Sequence, residues 1–545
     1  MTSKRRWTWL LSVLALAAGF SLMVAAYGVA ANRTKAAPKH SQAFGTLRGV
    51  LDTIDFLDPQ QAYTAQSWWA MWNVWETLLT YRHVDGPGGY KLVPGLAQSL
   101  PSISANGRLY KFKLRSGLRY SNGKSVKASD FEYAIKRGFL ATGQGVGFYT
   151  DIAGAAAYAA HPTAGGNISG ITANNARRTI TIKMAKPRGD FLTILALLFA
   201  APVPPGTTPA IHNGDIPASG PYRIVGYDPN RGFTMLRNKF FKPTKDIPRG
   251  NPNRIEVSLI GDANTATQRV IGGQADYSNA AIPPDRIAGV KSRGQLKLRK
   301  AANTYYFWMN VNVAPFNKLK VRQAVNYAID RKAMQTLVWG GLGTPTQNVL
   351  PATYPSYRTL TLYTHDVAKA RKMITAAGAK GAAVTVWTRE VSDALTAAQY
   401  YTSVLNSIGL DAKLTTLPRA TYYTTIGKRD TKAQTGWARW LEDYPHPLDW
   451  FDVLLNGNRI VDQDNNNYAY YSNAKINKEI ESLKKAQVLT PAVNARWAKL
   501  EKGIMQDAPW APWSNRVFPE FFSKKMGCIH IQVLYGIDLA RLCKK

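Results

Sequence analysis

The stretch LYKFKLRSGLRYSNGKSVKASDFEYAIKRGF, residues 109–139, carries the local signals that decide the fold. Apolar and basic side chains alternate over residues 110–115, and this period of two predicts a half-buried strand. The Asn-Gly pair at 122–123 favours a turn. Ser129 and Glu132 have the spacing of a capping box at the start of a helix. A strand, a turn and a helix in this order indicate an α/β protein.

The same pattern continues along the chain. Residues 222–237 are predicted to form two strands joined by a turn. Residues 321–329 and 395–408 have the apolar spacing of amphipathic helices. A stretch rich in Pro and Gly at 202–221 is typical of a crossing between folding units. The length of 545 residues suits two or three packed domains, each with its own core.

The N-terminal residues 1–43 have the layout of an export signal, or of a membrane anchor followed by a linker. Three basic residues precede an uncharged apolar run at 7–31. This run is longer than the roughly 7–15 residues of a cleaved signal core and close to the roughly 20 that span a bilayer. Cleavage and retention as an anchor therefore both stay open. In either case we expect the rest of the chain to be extracytoplasmic, in the periplasm or on the outer face of the cell membrane.

The net charge is +35, from 69 Lys and Arg against 34 Asp and Glu. A field of this size attracts a protein to anionic surfaces. The basic residues are spread over strands and helix faces rather than gathered in one stripe, and export removes nucleic acid as the usual partner. Anionic cell-wall polymer or a lipid surface is the better candidate, unless the lysines serve only solubility.

The two cysteines, Cys528 and Cys543, are expected to form a disulfide in an oxidising compartment, although two unpaired thiols remain an alternative. Seven scattered histidines with no HExxH or CxxC motif predict no metal site. Glu442 and Asp443 are adjacent and cannot flank one bond as a glycosidase pair does. No nucleophile is paired with a histidine at a known spacing. We therefore expect a protein that is not an enzyme and that needs no cofactor.

Five segments, taken in order, resemble the extracellular solute-binding protein family 5, whose members bind oligopeptides and dipeptides. The segments are LDP (57–59), LVPGLAQSLPSISANGRLYKFKLRSGLRYSNGKSVKASDFEYAIKRGF (92–139), ASGPYRIVGYDPNRGFTMLRNKFF (218–241), YYFWMNVNVAPFNKLKVRQAVNYAIDRKAM (305–334) and WARWLEDYPHPLDWFDVLLNG (437–457). One such match would be weak, but five in the family's order are specific.

The resemblance implies an α/β, two-lobed periplasmic binding protein-like fold with an extra domain inserted in the first lobe. It places the split first lobe at 44–85, 205–300 and 511–545, the extra domain at 86–204 and the second lobe at 301–510. The lobes of such proteins close around a ligand. It further implies a monomeric protein that captures peptides and delivers them to the permease of an ABC importer.

The resemblance also implies that Asp443 binds the α-ammonium group of a peptide, because an ammonium needs acceptors once the cleft excludes water. The alternative is a surface acid that caps a turn before Pro445. The other residues expected at the ligand site are Trp440, Trp437, Tyr306, Phe307, Trp308, Asn310, Tyr63, Tyr149 and Trp513. The tryptophans would form aromatic walls, unless they only pack in the core. The hinge strand around Trp308 would offer backbone groups to the ligand.

Two departures from the family pattern leave the ligand class open. Tyr63 and Trp308 stand where oligopeptide binders of the family carry acidic residues, so the cleft is expected to be less acidic and more aromatic. A non-peptide solute, such as an oligosaccharide, a metal chelate or an opine, is the first alternative. The second is an envelope protein that adheres to anionic polymers through its basic surface.

Overall fold

The computed structural model describes residues 44–104, 106–280 and 282–545. The expected export signal or anchor at 1–43 lies outside these residues. Within the described ranges, no helix has both the length and the apolar character needed to cross a membrane.

The described chain alternates helices and strands over its whole length. The α-helices are α1 (Ala65–Met71), α2 (Ala128–Leu140), α3 (Ala155–Ala160), α4 (Phe191–Ile194), α5 (Ala263–Ile271), α6 (Pro284–Ser292), α7 (Leu319–Ala328), α8 (Arg331–Trp339), α9 (Val367–Ala376), α10 (Ser392–Ser407), α11 (Tyr422–Ile426), α12 (Leu448–Leu454), α13 (Ala474–Leu483) and α14 (Pro491–Asp507). The strands are β1 (Phe44–Leu51), β2 (Leu79–Tyr81), β3 (Leu92–Pro94), β4 (Ser102–Ile103), β5 (Leu109–Lys113), β6 (Ile171–Asn174), β7 (Thr179–Lys183), β8 (Tyr222–Asp228), β9 (Gly232–Arg237), β10 (Pro252–Leu259), β11 (Tyr277–Ser278), β12 (Leu296–Arg299), β13 (Asn303–Met309), β14 (Gly343–Pro345), β15 (Ala383–Arg389), β16 (Asp411–Leu417), β17 (Thr435–Leu441), β18 (Trp510–Arg516), β19 (Phe518–Phe522), β20 (Met526–Gly527), β21 (Ile531–Gln532), β22 (Gly536–Ile537) and β23 (Cys543–Lys544).

The strand and helix predicted from the opening stretch are β5 and α2, but the cap of the helix differs from the prediction. The helix begins at Ala128, and the carboxylate of Asp130 accepts a hydrogen bond from the backbone N–H of Lys127 at 2.9 Å. The predicted box of Ser129 and Glu132 is therefore wrong by two positions. An acid at the third helical residue caps the helix as well as the predicted glutamate would have done. The predicted hairpin is confirmed as β8 and β9, which pair antiparallel.

The first lobe is built on a seven-stranded sheet in the order β12-β19-β11-β1-β10-β9-β8. Strand β1 runs parallel to both of its neighbours, β10 and β11. Strand β19 comes from near the C-terminus and inserts between β12 and β11. The tail of the chain thus returns to the sheet that the described chain begins with. Residues 102–183 contribute a second sheet, four-stranded and antiparallel, in the order β4-β5-β7-β6.

The second lobe is built on a six-stranded sheet in the order β14-β18-β13-β17-β15-β16. Strands β16, β15 and β17 run parallel, so their carboxyl ends lie at the same edge. One hydrophobic core covers each face of this sheet, one around Phe307 and Tyr401 and the other around Trp308 and Trp450. The structure therefore has the two-lobed α/β architecture expected from the sequence.

The C-terminal tail carries the disulfide. Cys528 is bonded to Cys543, with a Cα–Cα distance of 5.3 Å, and β20 pairs with β23 beside it.

Candidate functional site

A cleft of about 340 Å³ separates the two lobes. Both lobes line it, the first through Asp52, Gln66 and Asn279 and the second through Trp339, Ser392 and Arg439. Its volume lies within the range of small-molecule sites, and its wall mixes apolar and charged side chains as such sites do. The cleft between the lobes is therefore a candidate ligand site.

Three consecutive residues that follow β17, residues 442–444, are each held by a side chain from outside the second lobe. Tyr90 donates to Glu442 with an O–O distance of 2.7 Å. Tyr63 donates to Asp443 at 2.6 Å, and Tyr444 donates to Asp190 at 2.8 Å. We call these three hydrogen bonds the interlobe clasp. Because the partners lie more than 250 residues away in the sequence, the clasp exists only while the lobes are together.

Asp443, the residue expected to bind an ammonium group, lies in this clasp rather than on an outer surface. Its side chain is half-buried, and Tyr63 is its hydrogen-bond donor from the first lobe. Burial raises the pKa of Asp443, and the hydrogen bond from Tyr63 partly offsets that effect. A half-buried carboxylate whose side chain has one neutral donor is stabilised by a cation, so this geometry suits an ammonium ligand.

A second acid, Asp449, accepts hydrogen bonds from both Asp443 and Trp440. Its Oδ2 accepts from the backbone N–H of Asp443 and from the indole N–H of Trp440, both at 3.0 Å. Asp449 is fully buried; burial first, and then the charge of Asp443, raises its pKa. Sequence reasoning missed Asp449, since the only signal was a carboxylate six residues after the expected one. Its role is to orient the half-buried indole of Trp440.

Glu442 is a third acid of this region, half-buried like Asp443, and it accepts hydrogen bonds from two phenols. Tyr354 of the second lobe donates to its other oxygen at 2.7 Å and in turn accepts from the indole N–H of Trp450 at 2.9 Å. Burial raises the pKa of Glu442 to about 7, although the hydrogen bonds from Tyr90 and Tyr354 lower it. The protonation of Glu442 therefore changes near neutral pH.

The third clasp residue, Tyr444, contacts an ion pair. Asp190 is fully buried and accepts from Arg188 at 2.7 Å. Burial alone would raise the pKa of Asp190, but the guanidinium outweighs it and the pKa is about 2. Nearby His446 has its pKa lowered by burial to about 4, so it is neutral at physiological pH. This end of the clasp keeps its charge state over the physiological range.

The other tryptophan of the segment, Trp437, lies in the core. Its side chain is fully buried, and the guanidinium of Arg389 lies 4.5 Å from the ring centroid. Trp513 is also fully buried; it stacks on Trp339 with centroids 4.5 Å apart, and only Trp339 lines the cleft. Both expected wall residues thus stand behind the cleft surface instead of forming it.

The hinge strand β13 lies in the middle of the second sheet. Tyr306 stacks on Trp510 at 3.5 Å, and Phe307 stacks on Tyr401 at 3.8 Å. Trp308 is fully buried. Strand β13 is paired on one side with β17 and on the other with β18, which leaves no free strand edge there for a ligand backbone.

Two further candidates have structural partners. Asn310 is buried and donates from its side-chain amide to the carbonyl of Ala433 at 3.0 Å. Tyr149 is buried in the core of the first half of the chain, with its hydroxyl 3.4 Å from the carbonyl oxygen of Ile194. Of the predicted site residues, the structure brings together Tyr63, Trp440 and Asp443.

The cleft contains a group of charges that sequence reasoning did not single out. Five arginines line it, at positions 299, 389, 419, 439 and 516, against three carboxylates, at 52, 393 and 520. The charged side chains of the cleft are thus mostly basic, and aromatic rings such as that of Trp437 lie behind them. The described residues contain no cluster of three or more His, Cys, Asp or Glu side chains suited to a metal ion.

Two lobes, a cleft between them and a clasp that exists only when they meet define a two-lobed solute-binding protein. The chain belongs to the bacterial extracellular solute-binding proteins, family 5, whose family model matches residues 91–462. It is 25% identical over 440 residues to the glutathione-binding protein GsiB of Escherichia coli O6:K15:H31, covering 77% of this chain and 80% of GsiB.

Solved structures show the same fold. The clavulanic acid biosynthesis oligopeptide binding protein 2 matches with a TM-score of 0.85 and 23% identity, over 92% of this chain and 96% of that one. The ABC transporter-associated periplasmic binding protein DppA from Helicobacter pylori, in complex with the peptide STSA, matches with a TM-score of 0.76 and 17% identity, over 93% and 99%.

Proposed function

We propose that this protein is the binding component of an ABC importer and that it captures peptides outside the cytoplasm by closing its lobes around them. Membership of the solute-binding family supports the general role, and the names of the relatives GsiB and DppA support peptides as the ligand class. In this role the protein acts as a monomer, without a cofactor and without catalysis, and delivers its ligand to a membrane permease.

The observation that carries the peptide proposal is the position of Asp443. It lies where the lobes meet, half-buried, with a single phenolic donor from the opposite lobe. An α-ammonium has three N–H donors and forms a charge-assisted hydrogen bond with such a carboxylate. Because burial disfavours the unpaired anion, pairing with an ammonium would stabilise the charged form of Asp443.

The proposal includes the domain division expected from the sequence, with one change. Residues 44–85 and 205–300 and the C-terminal tail form the first lobe, 86–204 the extra domain, and 301–510 the second lobe. The four-stranded sheet falls within 86–204, which supports the extra domain. Because β18 belongs to the second sheet and β19 to the first, we place the tail's crossing at Val517 rather than near 511.

The test compares peptides that differ only at the amino terminus. Binding of Ala-Ala-Ala and of its N-acetylated form to the full chain in mild detergent is measured by calorimetry. Breaking a buried charge pair costs about 2–5 kcal/mol, so we expect Asp443→Asn to weaken binding of the free-amine peptide at least 30-fold. Asp430→Asn, at an exposed carboxylate, is the matched control and should bind like wild type.

Two results would contradict the proposal. If neither peptide binds to wild type, the ligand is not a peptide of this kind. If Asp443→Asn binds the free-amine peptide as tightly as wild type does, Asp443 is not the ammonium partner.

A second candidate keeps the fold and changes the ligand to a non-peptide solute, such as an oligosaccharide, a metal chelate or an opine. The arginines of the cleft favour it, because a charged solute without an amino group would use them and leave Asp443 aside. Mass spectrometry of the ligand that co-purifies with the protein decides between the two. Adhesion to anionic wall polymer through the charge of +35 is compatible with either ligand and predicts salt-sensitive binding to wall fragments.

A further inference from the structure

Four exposed lysines of the C-terminal tail lie together on the first lobe, and we call their side chains the lysine cluster. They are Lys524, Lys525, Lys544 and Lys545. Strands β20 and β23 pair antiparallel, and beside this pairing the backbone N–H of Lys545 donates to the carbonyl of Lys525 at 2.9 Å. The disulfide of the tail links the same two segments. Lysines about 20 residues apart in the sequence are therefore held side by side.

The lysine cluster is poorly neutralised by the described part of the chain. The ammonium of Lys544 lies 4.0 Å from a carboxylate oxygen of Asp276, and the other three lysines have no carboxylate within 4.0 Å among the described residues. The two acidic side chains of the tail, Glu520 and Asp538, are buried and have partners inside the protein. A terminal carboxylate beside Lys545 would offset one positive charge. The exposed side chains of the tail thus present a basic surface.

The lysine cluster lies beside the start of β1, to which residues 1–43 lead. The ammonium of Lys544 donates to the carbonyl of Thr46 at 3.1 Å and lies 5.4 Å from the ring centroid of Phe44. Between the apolar run at 7–31 and Phe44 the sequence has 12 residues, of which three are Lys or Arg and none is acidic. A chain of this length spans at most about 45 Å. Retention of the apolar run in a bilayer would therefore keep the lysine cluster close to the membrane surface.

Anionic phospholipid headgroups match this surface in charge and in position. A lysine ammonium has three donors and binds a phosphate group as a point charge. A lysine close to an anionic membrane strengthens attachment about fivefold, and the attraction falls off within a Debye length. An anionic wall polymer would offer the same charge. The position of the cluster beside the N-terminal segment favours the membrane instead.

We propose that the lysine cluster docks on anionic phospholipid headgroups and holds the first lobe against the membrane. This inference concerns attachment of the protein and goes beyond the proposed capture of a ligand. Because the cluster lies on the first lobe, a docked molecule leaves the second lobe free to open and close over the cleft.

The test measures how fast each lysine is acetylated by acetic anhydride, an uncharged reagent, with mass spectrometry as the readout. The full chain is reconstituted either in phosphatidylcholine vesicles or in vesicles with about one-third phosphatidylglycerol. Because docked ammonium groups are shielded, we expect acetylation of the lysine cluster to slow at least about threefold in the anionic vesicles. The rate should recover in about 1 M NaCl, which shortens the Debye length to about 3 Å. Lys380, an exposed lysine of the second lobe, should react equally fast in both kinds of vesicle.

A charge variant shows whether the cluster itself causes the protection. The variant Lys524→Gln/Lys525→Gln/Lys545→Gln keeps Lys544 as a reporter. Its acetylation in anionic vesicles should return to the rate seen in phosphatidylcholine. All three substituted side chains are exposed, so the variant should unfold at the same denaturant midpoint as wild type.

The matched control removes the same charge from exposed positions of the second lobe. It is the variant Lys372→Gln/Lys413→Gln/Lys428→Gln. The lysine cluster of this control should be protected in anionic vesicles as strongly as that of wild type. Loss of protection in the control would show that net charge, and not the cluster, attracts the protein to the membrane, and would overturn the inference.

Two further results would overturn the inference. Equal acetylation of the lysine cluster in both kinds of vesicle would show that headgroups do not shield it. Protection by inorganic polyphosphate added to phosphatidylcholine vesicles, without protection by anionic vesicles, would assign the cluster to a polyanion other than the membrane.

Discussion

Two charged regions of the molecule differ in how completely the protein satisfies them: the carboxylates at the clasp, here called the acidic end, and the arginines of the cleft, here called the basic end. At the acidic end, Glu442 and Asp443 accept hydrogen bonds from tyrosine hydroxyls, and Asp449 holds the backbone between the strand and the clasp. At the basic end, Arg389 lies over the ring of Trp437, and its Nε has no hydrogen-bond partner among the described residues. The carboxylates of the acidic end therefore stabilise the packing of neighbouring segments as well as being candidates for ligand binding. The basic end retains a buried donor, the Nε of Arg389, that no described residue accepts from.

The largest expected effect concerns whether the two ends bind the same molecule. If they do, the double variant Asp443→Asn/Arg439→Gln loses both contacts with a zwitterionic tripeptide. The costs of separated sites add, so we expect affinity to fall about 1,000-fold or more by calorimetry. Affinity no lower than that of Asp443→Asn alone would show that the two ends serve different ligands.

An intermediate effect distinguishes the ends by stability. Tyr354→Phe leaves one oxygen of Glu442 and the indole N–H of Trp450 without a partner, so we expect unfolding by denaturant to become easier by about 1–3 kcal/mol. Arg419→Gln should leave the unfolding midpoint unchanged. Tyr357→Phe, whose hydroxyl has no hydrogen bond in the described chain, is the control. Equal destabilisation by Tyr354→Phe and Arg419→Gln would contradict the proposed difference in hydrogen bonding between the acidic end and the basic end.

The smallest expected effect is on the pH dependence of binding. The pKa of Asp443 is raised by burial and that of Glu442 is about 7, so both gain protons as the pH falls below neutrality. A protonated acid cannot pair with an ammonium. The affinity for Ala-Ala-Ala should therefore be highest above pH 7 and fall by up to about tenfold per pH unit below it. N-acetylglutamate has carboxylates and no ammonium group, so it would use the arginines alone. Because arginines stay charged, the affinity for N-acetylglutamate should be constant from pH 5.5 to 7.5. Parallel curves for both probes would contradict this.

Local patterns predicted the elements well where one signal was enough. The alternation over 110–115 fixed β5, and apolar spacing located α7 and α10. The cap of α2 was misplaced because Ser129 and Asp130 can both cap a helix, and only the packed structure selects between them. Family resemblance directed attention to Asp443, which lies in the clasp.

The grouping of Arg389, Arg419 and Arg439 in the cleft could not be predicted from the sequence, for a physical reason. These three arginines are 20 to 50 residues apart in the sequence, and only the parallel pairing of β16, β15 and β17 brings them together. In a chain of 69 basic residues, three more arginines after strands are not conspicuous. The aromatic candidates had the opposite problem. Trp308 and Phe307 are aromatic residues of the kind that line ligand sites. Because β13 is paired on both sides in the middle of its sheet, their side chains point to opposite faces and pack in the two hydrophobic cores.

The interlobe clasp also bears on how the empty protein behaves. Its three hydrogen bonds need no ligand, so each favours the shut conformation before any solute arrives. When only a fraction of molecules is competent to hold a ligand, the apparent dissociation constant is the intrinsic one divided by that fraction. Tyr90 and Asp190 thus change the apparent affinity for every solute by the same factor. The groups at the two charged ends determine which solutes bind more tightly than others.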